Sequence, residues 1–181
     1  LFPYLRVLML LLLAPAIYFF WARGGADDLM QSVHPPTTVE VIHLGHTAPD
    51  FSAPANRTWV KKSFRLSSLK GFPVVLHFWA TWCGPCLVEL PELLRLSRRL
   101  RPQGYSFVAV AEDDSWATVE QFFAQNPQLK PMADNMILIL DPQSRLADLY
   151  GSSRFPETFL INDKMVMDNK LVGGQPWNAP A

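Results

Sequence analysis

Two cysteines, Cys83 and Cys86, stand three residues apart in the string Phe78-Trp79-Ala80-Thr81-Trp82-Cys83-Gly84-Pro85-Cys86, and the chain has no others. A pair at this spacing can exchange a disulfide with a substrate, ligate a metal, or staple a loop. Closing so short a loop removes little unfolded-chain entropy, so stability is a weak reason for the pair. A zinc site needs further ligands at suitable spacing, and the four histidines supply no convincing set. Thiol–disulfide exchange is the chemistry this spacing favours.

The flanking residues say how the pair is held. Val74-Val75-Leu76-His77-Phe78-Trp79 is β-branched and aromatic without alternation, as in a central strand buried on both faces. After the cysteines, Leu87, Leu90, Leu93, Leu94, Leu96 and Leu100 recur at helical steps, with Glu89, Glu92, Arg95, Arg98 and Arg99 between them. The pair therefore lies at a strand-to-helix junction. Pro85 suits the first helical turn, whereas Pro91 inside the helix predicts a kink. Unpaired N–H groups and the helix dipole favour a thiolate at Cys83, which makes it the nucleophile and the more solvent-facing thiol. Cys86, roughly one turn deeper, is placed to attack the mixed disulfide that Cys83 forms with a substrate.

These residues carry a resemblance. Trp82-Cys83-Gly84-Pro85-Cys86 resembles the thioredoxin active site. The longer string, with Glu89, Pro91 and Leu93, is similar to the membrane-anchored TlpA, ResA and CcmG group of thioredoxin-like thiol:disulfide oxidoreductases. Ala48-Pro49-Asp50-Phe51 and Leu66-x-x-Leu69-Lys70-Gly71 resemble the segments that open the group's domain. Phe155-Pro156-Glu157-Thr158-Phe159-Leu160-Ile161 resembles the one carrying its cis-proline, a role that falls to Pro156. The resemblance covers about Thr47 to Trp177. It implies substrate contacts from Trp82, Gly84, Pro85, Phe155 and Pro156, with Glu157 as an acidic neighbour, and no metal or cofactor. The implied substrates are protein disulfides of apocytochrome c or of respiratory metal-centre cysteines, and a membrane electron donor restores the dithiol.

Gly84-Pro85 favours the reducing direction: thioredoxin, with that dipeptide, sits near roughly −270 mV, against about −120 mV for a strong oxidant. A dithiol oxidase and a Cu(I)-binding metallochaperone using both thiolates are the alternatives. A peroxiredoxin begins with a motif like Ala48-Pro49-Asp50-Phe51 but needs a threonine three residues before its cysteine, where this chain has Ala80. His77 departs from thioredoxin, which has a buried aspartate six residues before the first cysteine. It shares a strand face with Val75 and Trp79, and apolar surroundings lower a histidine's pKa. A neutral His77 could accept the Cys86 proton and is the third candidate catalytic residue; a core histidine satisfied by backbone is the other reading.

The chain has 181 residues, 49% hydrophobic, with 16 Lys and Arg against 16 Asp and Glu. No global field attracts nucleic acid. The organisation reads as a membrane anchor or signal sequence over 1–23, a linker over 24–38 and a thioredoxin-like domain over 39–181. Val7 to Ala22 is an uninterrupted apolar run, Tyr18-Phe19-Phe20-Trp21 suits a membrane interface, and Ala22-Arg23-Gly24 is a poor cleavage site, which favours an uncleaved anchor. In the resembling group the catalytic domain lies outside the cytoplasmic membrane, facing the periplasm or cell exterior. Gly24-Gly25, Asp27-Asp28 and Pro35-Pro36 mark the linker. His34, His43 and His46 read as solvated, because residues three apart in an extended strand diverge.

Within the domain, Val39 to Leu44 reads as a short strand, and Trp59-Val60 with Phe64 to Leu66 as an N-terminal hairpin joined by the solvated Lys61 and Lys62. Tyr105 to Ala111 and Met136 to Leu140 are further strands. Glu112-Asp113-Asp114 is either an acidic rim at the active-site end of the sheet or the approach to a helix from Trp116, with Asp114 or Ser115 as its cap. Arg145 to Tyr150 forms a short helix. Phe155 to Ile161, then Met165 to Met167 with Lys170 to Val172, complete an antiparallel pair. Together these give a thioredoxin-like α/β sandwich with a β-hairpin extension. Trp177-Asn178-Ala179-Pro180 reads as the start of a helix. The resembling group ends with such a helix over one sheet face, so its loss and an exposed apolar patch are expected.

Overall fold

Six consecutive residues with no exposed side chain, Val74–Trp79, form the strand around which the sheet is laid. The computed structural model describes residues 44–54, 63–130 and 134–178, all within one compact unit, Glu40–Ala181. In chain order the elements are β1 (Ser52–Ala53), β2 (Phe64–Arg65), β3 (Val74–Trp79), α1 (Gly84–Leu100), β4 (Ser106–Ala111), α2 (Trp116–Gln125), β5 (Ile137–Leu140), α3 (Arg145–Leu149), β6 (Glu157–Ile161) and β7 (Met167–Val172).

The main sheet has the order β5-β4-β3-β6-β7. β3, β4 and β5 are parallel, while β6 runs antiparallel to β3 and β7 antiparallel to β6. This is the expected thioredoxin-like sandwich. Because β3 is central, both faces of it are covered. Leu76 and Phe78 enter an aromatic core with Phe51, Tyr150 and Phe159, whereas Val75 and Trp79 enter a second core with both cysteines, α1 and α2. Strand alternation thus assigns His77 to the face that carries the cysteines.

Several boundaries differ from the sequence reading. The hairpin pairs Phe64–Arg65 with Ser52–Ala53; Trp59-Val60, Lys61 and Lys62 lie outside the described residues. The anchor, the linker, His34 and His43 lie outside them too, and of the Val39 to Leu44 strand only Leu44 is described, in a turn. α1 continues through Pro91 to Leu100. Arg101 to Gly104 then ends it, with Gly104 left-handed at φ 92°, a conformation glycine adopts at no steric cost. Trp177 packs half-buried against the cysteine-side core. Among the described residues no helix is long and apolar enough to cross a membrane.

Candidate active site

The chain leaves β3, turns through Ala80 to Trp82, and enters α1 with Cys83 as the cap. The Cys83 N–H donates to the Ala80 carbonyl, its carbonyl accepts from Leu87 N, and its Sγ accepts from the Cys86 N–H at 3.3 Å. The sulfur therefore occupies the site where a helix N-terminus stabilises negative charge. Cys83 and Cys86 are joined as a disulfide, with Cα atoms 5.3 Å apart. Cys86 is 0% exposed and Cys83 6% exposed. Cys83 is the more accessible thiol, as expected, though only slightly open. Trp82, Gly84 and Pro85 around it are exposed.

Two residues at the end of β4 hold the turn. Asp113 accepts hydrogen bonds from the Thr81 backbone N–H, at 3.1 Å, and from its hydroxyl, at 2.5 Å. Glu112 accepts the Trp82 indole N–H on its backbone carbonyl at 3.1 Å, while its own N–H donates to Trp79. α2 is capped by Ser115, one of the two expected caps, whose hydroxyl accepts from Thr118 N. Glu112 and Asp113 do not form an exposed acidic rim. Both side chains are buried, because the C-terminal end of a central parallel strand is covered by the loops that leave its neighbours. Neither carboxyl oxygen of Glu112 is in a well-aligned hydrogen bond. Burial, with the nearby Asp141 carboxylate adding to it, pushes its pKa up to about 8.

The Phe155–Pro156 peptide is cis, as the resemblance implies for Pro156. Phe155 packs its ring edge against Trp82, with centroids 6.0 Å apart, and joins the core that holds both cysteines. The Pro156 carbonyl accepts from Gly173 N at 2.8 Å, which ties the chain beyond β7 to the proline. Glu157 is only 2% exposed, and its carboxylate pairs with Lys170 Nζ at 2.9 Å. Its charge is therefore spent inside the fold.

His77 is fully enclosed on β3. Its Nδ1 lies 2.9 Å from the Thr158 hydroxyl, and its Nε2 lies 3.6 Å from Glu89 Oε1. Burial lowers its pKa to about 3, so it is neutral at pH 7. In the sequence Glu89 is one polar position on the helix and a member of the resembling string, with no role assigned to it. The fold encloses it, 5% exposed, one turn beyond Cys86 on the same side of α1. Its Oε2 accepts from Gln175 N at 2.6 Å and from the Trp177 indole at 3.0 Å. Burial raises its pKa, and these two donors restrain the rise. The sequence signals for it were its place in the resembling string and an acid on the cysteine side of a leucine-rich helix. Among the described residues no cluster of His, Cys, Asp and Glu could hold a metal.

Sheet order, cis-proline and a cysteine capping the helix that follows the central strand place the protein in the thioredoxin-fold class. Comparison with known proteins narrows this: the chain belongs to the AhpC/TSA family, whose model matches residues 44–170. It is similar to the thiol-disulfide oxidoreductase ResA of Bacillus subtilis, 36% identical over 123 residues. That alignment covers 68% of this chain and 64%, just under two thirds, of the relative. ResA of Oceanobacillus iheyensis is 31% identical over 157 residues, covering 86% of this chain and 73% of the relative. A solved structure assigned as the thiol:disulfide interchange protein DsbE of Chlorobium tepidum superposes with a TM-score of 0.65 at 30% identity, over 75% of this chain and 89% of that one. The protein is a thiol-disulfide oxidoreductase of thioredoxin-like fold. Ala80, buried three residues before Cys83, supplies no hydroxyl where a peroxidase needs one.

Proposed function

We propose that the protein is an envelope thiol:disulfide reductase whose substrates are protein disulfides. The observation that carries this reading is the Cys83 sulfur at the N-terminus of α1, accepting an N–H, above a fully buried Cys86. In the reduced protein that N–H and the helix dipole stabilise a Cys83 thiolate. It attacks one sulfur of a substrate disulfide, forming a mixed disulfide and expelling the other sulfur as a thiolate. Cys86 then loses its proton and attacks Cys83 Sγ, releasing the second substrate thiolate and leaving the Cys83–Cys86 disulfide that the structure holds. Two electrons pass to the substrate. A membrane dithiol donor returns them.

Proton transfer from Cys86 is assigned to Glu89. A histidine whose pKa is lowered to about 3 is a weak base at neutral pH, whereas a carboxylate raised by burial is closer to the useful range. His77 is then a positioning residue, its Nε2 set against the Glu89 oxygen that lacks another partner. Trp82, Gly84, Pro85, Phe155 and Pro156 form the surface on which substrate backbone lies.

Gly84-Pro85 and the similarity to ResA support reduction over oxidation. The apolar run Val7 to Ala22 supports a single-pass anchor in a bacterial cytoplasmic membrane, with the dithiol outside. Apocytochrome c or respiratory metal-centre cysteines are the substrates in view. Two measurements test the reading together. A Cys86→Ser variant should accumulate mixed disulfides through Cys83 while Cys83→Ser accumulates none; equal trapping by both defeats the ordered mechanism. The midpoint potential should fall near roughly −270 mV, and a value above about −180 mV would make the protein an oxidase.

A further inference from the structure

The two ends of the domain differ in charge. Strand register places the N-terminal ends of β3, β4 and β5, the last turn of α1 and the β6–β7 turn together, at the end opposite Cys83. α1 has 17 residues, so this end lies about 25 Å from the cysteine. Lys70, Arg98, Arg99, Arg101, Lys130 and Lys164 are all exposed there, against the acids Asp134, Asp163 and Asp168, the last accepting a hydrogen bond from Asn162 in the β6–β7 turn. The chain as a whole nets to zero, so this is a separation of charge along the domain. At the catalytic end the carboxylates of Glu89, Glu112, Asp113, Asp141 and Glu157 are buried, and the exposed Asp114, Arg145 and Arg154 leave one net positive charge there against three at the opposite end.

Two large aromatic side chains are exposed at the same basic end, Phe72 at 51% and Tyr105 at 38%. With Leu69 and Arg101 they line an open depression of about 210 Å³. Arg98 and Arg99 alone would be explained as complements to the C-terminal dipole of α1. That explanation does not reach Lys70 and Lys164, which stand on separate turns, nor the exposed rings.

Basic side chains around amphipathic aromatic rings match the headgroup region of an anionic bilayer. Ammonium and guanidinium groups meet phosphate there, and rings settle at the interface. The tether does not choose the orientation. The proposal rests on the anchor reading of Val7 to Ala22 given under the proposed function, and the 21 residues from Arg23 to His43, at most about 70 Å when fully extended, are long enough to leave the choice to the domain's own surface. Charge decides between the ends. We propose that the end opposite Cys83 docks on anionic phospholipid headgroups and turns the dithiol away from the bilayer, toward substrates in the aqueous phase. The docking is independent of whether the dithiol reduces or oxidises.

The test is amide hydrogen exchange of the full chain in nanodiscs of phosphatidylcholine, alone or with phosphatidylglycerol added. Exchange over residues 70–73, 98–106 and 162–165 should slow only when phosphatidylglycerol is present. It should recover at salt that shortens the Debye length to about 3 Å. The double variant Arg98→Glu, Arg99→Glu should lose the protection, with surface partitioning reduced at least about 25-fold, since each basic residue contributes about five-fold. Its rate of reducing a soluble disulfide should be unchanged, showing that the fold and the dithiol are intact. Equal protection in both lipids, no protection in either, or protection that survives the double charge reversal overturns the proposal. So does slowing of exchange by a soluble acidic protein with no effect of phosphatidylglycerol, which would make this end a protein interface.

Discussion

Glu89 and Glu112 are both buried carboxyl groups flanking the Cys83–Cys86 turn, and the protein satisfies them differently. Glu89 stands on α1 with one oxygen held by the Gln175 N–H and the Trp177 indole, and the other facing His77. Glu112 stands just past the end of β4, with neither carboxyl oxygen in a well-aligned hydrogen bond and the Ser144 side chain as its nearby donor. Burial raises both. Glu112 is pushed up to about 8 by burial, with Ser144 opposing the rise and the Asp141 carboxylate beside it adding to it, whereas two donors, the Gln175 N–H and the Trp177 indole, restrain the rise of Glu89. Burial makes a group that holds a proton; its donors decide whether the proton can leave at working pH.

The largest expected effect comes from removing the releasable proton. Glu89→Gln should slow resolution of a mixed disulfide by about 100-fold at pH 7, the size of a general-base contribution. Glu112→Gln should change that rate by less than about three-fold. Stopped-flow measurement of both variants on one disulfide substrate checks this, and equal losses would erase the distinction.

The next effect is on stability, measured by urea unfolding of the oxidised protein across pH. Glu112 has a folded pKa of about 8 against an ordinary 4.5, so its contribution is complete below 4.5 and is lost as pH rises through 8. Glu89, also raised, adds in the same direction. His77 has a folded pKa of about 3 against 6.5, so its contribution is present above 6.5 and is lost as pH falls toward 3. Between 4.5 and 6.5 the Glu112 and His77 slopes oppose each other, and stability should be greatest there. Glu112→Gln should remove most of the decline between pH 6.5 and 8, on the order of 2 kcal/mol. An unchanged alkaline limb would mean that Glu112 is ionised in the folded protein at neutral pH.

The smallest effect tests His77 as the partner that sets Glu89. His77→Ala should slow resolution by about three- to ten-fold. His77→Asp, which brings a second carboxyl group to Glu89, should move the pH–rate profile in the alkaline direction. If neither the rate nor the profile moves in a folded protein, His77 is only a core residue.

These residues also show where sequence reasoning stopped. The cysteine pair, its position between a buried strand and an amphipathic helix, the place of Cys83 at the helix N-terminus and the burial of His77 were all legible. Each depends on residues within a few positions along the chain, through periodicity, capping chemistry and alternation. The cis-proline was legible only through resemblance, since nothing local requires it. The pairing of β2 with Ser52–Ala53 was not legible, because a two-residue strand carries too little periodicity to choose a partner.

What tertiary structure alone decided is the surroundings of the polar groups. Glu89 and Arg95 are both charged residues between leucines on one helix, yet one is buried and the other exposed. The difference is made by Gln175 and Trp177, 86 and 88 residues further along the chain. Asp113 and Glu112 read as part of an acidic rim until Thr81 and Trp82, about 30 residues away, supplied donors to their side-chain and backbone oxygens. The chain's local pattern determined where the dithiol sits and which sulfur is exposed first. Which buried acid serves it depends on long-range packing, because a carboxyl group's pKa follows from the water it loses and the donors it gains, and both arrive from distant parts of the chain.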